Sequence, residues 1–177
     1  MAPPQSLYAT IYAHPVWNGM EVYILRHGKA APPSLRIPSD HDRPLTDVGR
    51  REITRTGRAL RHMGIRPDTL ASSPLLRAVQ TAEVISKHVG AEVEIWEDLK
   101  PETIPDETLH TIRSTGADSI MLVGHEPHLT GLISHMTSGR PVQISLKKGG
   151  LACVRLPVLG YGALRYILTP KQMGMMS

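Results

Sequence analysis

The 177-residue chain has one cysteine, no phenylalanine, and only five tyrosines and two tryptophans. A lone cysteine, Cys153, excludes an internal disulfide and a cysteine-based zinc site. Scarce aromatics, with Lys and Arg scattered and never in a run, argue against nucleic acid as a partner. No apolar stretch approaches the roughly 20 residues of a membrane helix, so no membrane partner is expected. Residues 1–19 lack both a basic start and a continuous apolar stretch, and do not read as a signal peptide. The expected compartment is the cytoplasm.

What is present is ordinary for a globular protein: 41% apolar residues and 20% charged ones, in a chain long enough to bury a core. The net charge of +4 fits either a solvated basic surface or attraction of an anionic substrate. The first clear strand follows Met20. Residues 1–19 therefore read as an N-terminal extension, 20–170 as one domain, and 171–177 as a C-terminal tail. The extension carries Leu7, Tyr8, Ile11, Tyr12, Val16 and Trp17. That much apolar surface is expected to pack on the body, or on a second subunit in a homodimer.

Strand and helix patterns alternate along the chain. Strands are predicted over 21–26, 69–72, 92–96, 119–124, 142–146, 151–156 and 161–168. Helices are predicted from Thr46, a plausible N-cap, to Gly64, with Val48, Ile53, Leu60 and Met63 as the apolar stripe. A second runs from Ser73 to Gly90, with Ser73 as cap and Pro74 at the first position. Others cover 108–113 and 129–137. Residues 29–45, with Pro32, Pro33, Pro38 and Pro44, form a loop, as do 97–105. The fold class is α/β: a three-layer α/β/α sandwich with a mostly parallel central sheet. Cys153 lies in an apolar strand-like run and reads as core filler.

In such a sheet ligands bind beyond the carboxyl ends of the strands. Three motifs fall there: Arg26-His27-Gly28, then Ser72-Ser73-Pro74 leading to Arg77, and Gly124-His125-Glu126-Pro127. Gly28 lets the chain turn and a ligand approach. At a strand end His27 can hold one nitrogen on a backbone acceptor and expose the other as a nucleophile. Arg77, in a first helical turn, opposes the helix dipole unless an anion sits there too. Alone, each has a plain alternative: a surface or core histidine, or a surface salt bridge. Together, two arginines and two histidines make a pocket for a phosphoryl group. His125, His128 and His135 invite a metal reading, but Pro127 intervenes in His125-x-x-His128 and no carboxylate–histidine partner pattern is evident in the sequence. No metal and no cofactor is expected.

Over residues 20–168 these motifs resemble the histidine phosphatase superfamily, with its Arg-His-Gly strand end, Ser-Pro-x-x-Arg-Ala-x-Gln-Thr-Ala helix start and Gly-His strand end. The short chain, the Arg-His-Gly-Lys-Ala opening, the Arg43–Gly49 segment and the Gly-His-Glu-Pro ending look like the SixA type, the phosphohistidine phosphatases. The resemblance implies a phosphoglycerate mutase-like fold and a metal-independent hydrolase, with His27 as the phosphorylated nucleophile. Arg26, Arg77 and His125 would hold the phosphoryl oxygens. Many relatives place an acid in the loop after the third strand. Glu102 is the first candidate here and Glu97 the second. The implied partner is a phosphorylated protein, such as a histidine-containing phosphotransfer domain. Alternatives are a small phosphorylated metabolite, or a non-catalytic module that only binds a phospho-ligand.

Overall fold

Val22–Leu25 lie at the centre of the molecule because every side chain in the run favours burial. In the computed structural model, which describes residues 19–35, 37 and 39–177, they form part of β1 (Gly19–Arg26) and none is more than 8% exposed. β1 pairs in parallel with β4 (Ser119–Gly124) and antiparallel with β5 (Leu151–Pro157). β2 (Thr69–Ser72) and β3 (Val93–Ile95) extend the parallel side. β6 (Ala163–Leu168) closes the other edge, giving the order β3-β2-β4-β1-β5-β6.

Successive side chains of β1 and β4 point to opposite faces, and both faces are covered. Tyr23, Leu25, Met121 and Val123 pack with Ile53 and Leu60 of α1 (Asp47–His62), Ile85 of α2 (Leu76–Val89) and Met173 of α5 (Pro170–Gly174). Val22, Ile24, Ile120 and Leu122 pack with Ile112 of α3 (Pro105–Ser114) and Leu129 and Leu132 of α4 (His128–Thr137). A strand buried on both sides has no polar face to alternate with, which is why β1 and β4 read as apolar runs. The result is the three-layer α/β/α sandwich with a mostly parallel sheet. Cys153 is buried in β5 as core filler.

Several local expectations are corrected. Residues 142–146 form no strand, although Ile144 and Leu146 turn inward, so their alternation marks the buried flank of an irregular segment. Ser73 does not cap α2 and Pro74 is not its first residue: the helix begins at Leu76, with Leu75 at the cap. α3 starts three residues early, at Pro105, because proline suits the first helical position. Val48 is 42% exposed instead of lining the core. The expected tail 171–177 is partly helical: the Thr169–Gln172 capping box starts α5, and Met173 is buried. Thr46 does cap α1, accepting from the Gly49 amide at 3.0 Å. The packing expected of the N-terminal extension concerns residues 1–18, which lie outside the described residues.

Candidate active site

Backbone hydrogen bonds draw the three motifs to one end of the sheet. The His27 amide donates to Gly124 O (3.0 Å), and the Ser73 amide to Val123 O (2.9 Å). The Gly28 amide donates to Thr81 Oγ1 (3.1 Å), which ties the end of β1 to α2. Gly28 has no positive φ, so a left-handed turn does not explain it. Space does: a Cβ there would lie 2.7 Å from Ile53 Cγ1. Gly49, in the first turn of α1, is required for the same reason, since a Cβ on it would collide with the Lys29 carbonyl. The two glycines let α1 close against the His27 loop.

His27 Nδ1 lies 2.7 Å from Gly28 O. A carbonyl only accepts, so Nδ1 carries the proton and Nε2 keeps its lone pair. Burial pushes the His27 pKa down to about 4, and Arg77, Arg26 and Lys148 push it the same way. The ring is therefore neutral at neutral pH. The His125 ring stands 4.9 Å from it, centroid to centroid. Its Nε2 is 2.9 Å from Ser73 Oγ, and its Nδ1 is buried without a partner. Burial, then the neighbouring His27 and Arg77, push His125 down to about 3.

Arg77 is 4% exposed and reaches Asp40, with Nη1 donating to its carbonyl at 2.6 Å and Nη2 to Oδ2 at 2.9 Å. Arg43 holds the other carboxylate oxygen at 2.7 Å. Partial burial would raise the Asp40 carboxyl, but the two guanidinium groups outweigh it and hold the group below its ordinary value. Arg26 donates through Nη1 to Leu146 O at 2.8 Å. The Gly149 amide is shared between the carbonyls of Arg26 and His27, at 3.0 and 3.1 Å. The Nε atoms of Arg26 and Arg77 are buried and unpartnered, as is His125 Nδ1. Polar atoms buried in this way call for a partner from outside the chain, such as water or a bound anion.

Arg26, His27, Arg77 and His125 are thus brought together. Glu102 is exposed, and among the described residues no hydrogen bond or ion pair joins it to these four. Glu97 pairs with Lys100 at 2.5 Å. His128 Nε2 is taken by Thr108 Oγ1 at 3.0 Å and His135 Nδ1 by Asp106 at 2.8 Å. Among the described residues no three His, Cys, Asp or Glu converge as a metal-holding group. A cleft of about 250 Å³ lies elsewhere, lined by Gly19, Met20, Arg113, Asp118, Leu156 and Val158, but its Arg113 is already committed to the Val158 and Gly160 carbonyls. Asp40, Ser73 as a hydroxyl partner, Thr81 and Lys148 are site residues that motif reading missed. The prolines of 29–45 point to a covering loop, but nothing local pairs position 40 with position 77.

A neutral imidazole with a free Nε2, set among Arg26, Arg77 and Lys148, suits nucleophilic attack on a phosphoryl group. The chain belongs to the histidine phosphatase superfamily and is a phosphatase, a phosphoric hydrolase. The model of the histidine phosphatase superfamily (branch 1) matches residues 22–101, which hold two of the three motifs. An uncharacterised protein of Picosynechococcus is 31% identical over 77% of this chain and 85% of its own length. Phosphohistidine phosphatase SixA of Escherichia coli is 27% identical over 85% of this chain and 94% of its own. The structure of the protein histidine phosphatase SixA with tungstate superposes with a TM-score of 0.76, at 26% identity, over 86% of this chain and 98% of that one. Among the described residues no helix is long and apolar enough to cross a membrane.

Proposed function

We propose that residues 20–170 form one catalytic domain that hydrolyses protein phosphohistidine through a phosphohistidine intermediate on His27, without a metal, in the cytoplasm. In the first step His27 Nε2 attacks phosphorus, a new P–N bond forms, and the P–N bond to the substrate imidazole breaks. The leaving imidazole departs carrying a proton. In the second step water attacks the phosphorylated His27, restoring the neutral ring and releasing inorganic phosphate. Arg26, Arg77 and His125 hold the phosphoryl oxygens, whose spread charge is what catalysis must stabilise.

The observation that carries this reading is the His27 ring, with Nδ1 fixed on Gly28 O and its pKa pushed down to about 4. Such a ring needs no separate base to become a nucleophile. The exposed position of Glu102 supports a phosphoramidate substrate over an alkyl ester. An imidazole can be protonated before it leaves, whereas an alkoxide needs an acid in place. Similarity to SixA supports the same substrate class. Turnover of a histidine-phosphorylated protein beside an alkyl phosphate and a metabolite panel, each with and without EDTA, tests the proposal. Higher kcat/KM on the phosphoprotein, unchanged by EDTA, is expected. Preference for an alkyl ester, or loss on chelation restored by zinc or magnesium, would overturn it.

A further inference from the structure

Six of the twenty Lys and Arg residues fall within one 17-residue stretch. Arg50, Arg51, Arg55, Arg58, Arg61 and Arg66 stand in residues 50–66 against a single acid, Glu52, a net charge of +5. The whole chain carries +4, so the remainder is −1. All six arginines are exposed, and among the described residues none is paired with a carboxylate. Arg51, Arg55, Arg58 and His62 follow helical spacing and form one stripe along α1. Like charges three and four residues apart disfavour a helix, so the stripe does nothing for the stability of α1 itself. Its field reaches α2, where burial first, then Arg58 and Arg61, push the His88 imidazole down. Lys171 of α5 lines a shallow hollow together with Arg55 and the stretch's one acid, Glu52.

α1 begins at the rim of the active site. The Thr46 amide, at the cap of α1, donates to Lys29 O at 2.9 Å, and Lys29 is two residues from His27. From Arg51 to His62 the stripe then spans about 17 Å, at roughly 1.5 Å per residue. A metabolite held at His27 could not cover that length, but a macromolecule could. Val48 is the only exposed large apolar residue on α1, and the face has no Phe, Tyr or Trp, which disfavours both a bilayer surface and stacked single-stranded bases.

We infer that the arginine face of α1 docks an acidic surface of the phosphorylated protein whose phosphohistidine enters at His27. The inference rests on the phosphohistidine reading above. The test uses the full chain, an acidic phosphotransfer domain phosphorylated chemically on its histidine, and free phosphohistidine. At low salt R51E/R55E/R58E should lower kcat/KM on the phosphoprotein by about 10- to 100-fold, mainly through KM, and leave free phosphohistidine unaffected. The salt dependence seen with wild type should flatten in the variant. If charge reversal prevents folding, R51Q/R55Q/R58Q should still show a several-fold loss on the phosphoprotein alone. Equal activity of variant and wild type on the phosphoprotein would overturn the docking surface and leave the substrate reading intact. Equal losses on both substrates would also overturn it, by showing an effect on the site itself. So would loss of RNA oligonucleotide binding with phosphoprotein turnover unchanged. Wild type that hydrolyses small substrates but not the phosphoprotein would overturn both the docking surface and the substrate reading.

Discussion

Asp40→Asn removes one charge and little else, and it bears on the phosphoryl pocket directly. The Asp40 carboxylate now rests on Arg77 Nη2 at 2.9 Å, where a phosphoryl oxygen would bind under the proposed mechanism. Substrate and carboxylate therefore compete for one guanidinium. Arg77 is 4% exposed, but the Asp40 side chain is 62% exposed, so solvent screens the pair from one side. Such pairs are worth about 0.2–1 kcal/mol. At about 1.4 kcal/mol per tenfold, the upper end corresponds to roughly a fivefold change. Vanadate and inorganic phosphate should thus inhibit Asp40→Asn up to about fivefold more tightly than wild type, with kcat nearly unchanged. The gap should shrink at high salt, because salt screens the exposed Asp40 carboxylate. Steady-state inhibition at two ionic strengths is the assay. Weaker vanadate binding together with a fallen kcat would refute the reasoning, because Asp40 would then be positioning Arg77 and not competing for it.

Burial makes a pH prediction with a definite sign. His27 and His125 titrate in the folded chain at about 4 and about 3, against 6.5 for a free imidazole, so the unfolded chain binds more protons between those values. Stability is then full above pH 6.5 and is lost as pH falls toward 4, by about 2 kcal/mol per histidine at pH 5. Denaturant midpoints between pH 7 and 5 check this, as do histidine ring resonances, two of which should not shift between pH 5.5 and 8. Ser73→Ala leaves His125 Nε2 without its 2.9 Å partner. It should cost roughly 1–3 kcal/mol of stability, read by thermal or chemical denaturation, and lower turnover. Because a phosphoramidate needs no acid in place, Glu102→Gln should leave turnover of the phosphoprotein and of p-nitrophenyl phosphate unchanged; an alkyl phosphate ester slowed by about 10²–10⁴-fold would make Glu102 a general acid. Equal rates on every substrate would make Glu102 a surface residue.

The sequence alone identified the strands that matter most, because β2 and β4 begin and end where their apolar runs do and β1 differs only at its start. Arg26, His27, Arg77 and His125 were legible for the same reason: each sits at the end of such a run or in the helical turn after it. What could not be read depends on contacts distant in sequence. Residues 142–146 alternate like a strand, but the Leu146 carbonyl is bonded by Arg26 rather than by a neighbouring strand. Ser73 looked like a helix cap because Ser-Pro is a common cap sequence, yet its hydroxyl meets His125, 52 residues away. Asp40 meets Arg77 across 37 residues, through a loop whose path no local pattern encodes. The arginines of α1 were visible one by one. Their meaning lies in a shared face and in the absence, among the described residues, of any salt bridge to them.

The most direct test of the central claim, attack by His27, is rapid quenching of a single turnover with radiolabelled substrate. The account predicts an acid-labile, base-stable phosphate on His27 that forms and decays within the turnover, and no label in His27→Ala. Label on a serine, or normal turnover by a folded His27→Ala, would contradict it.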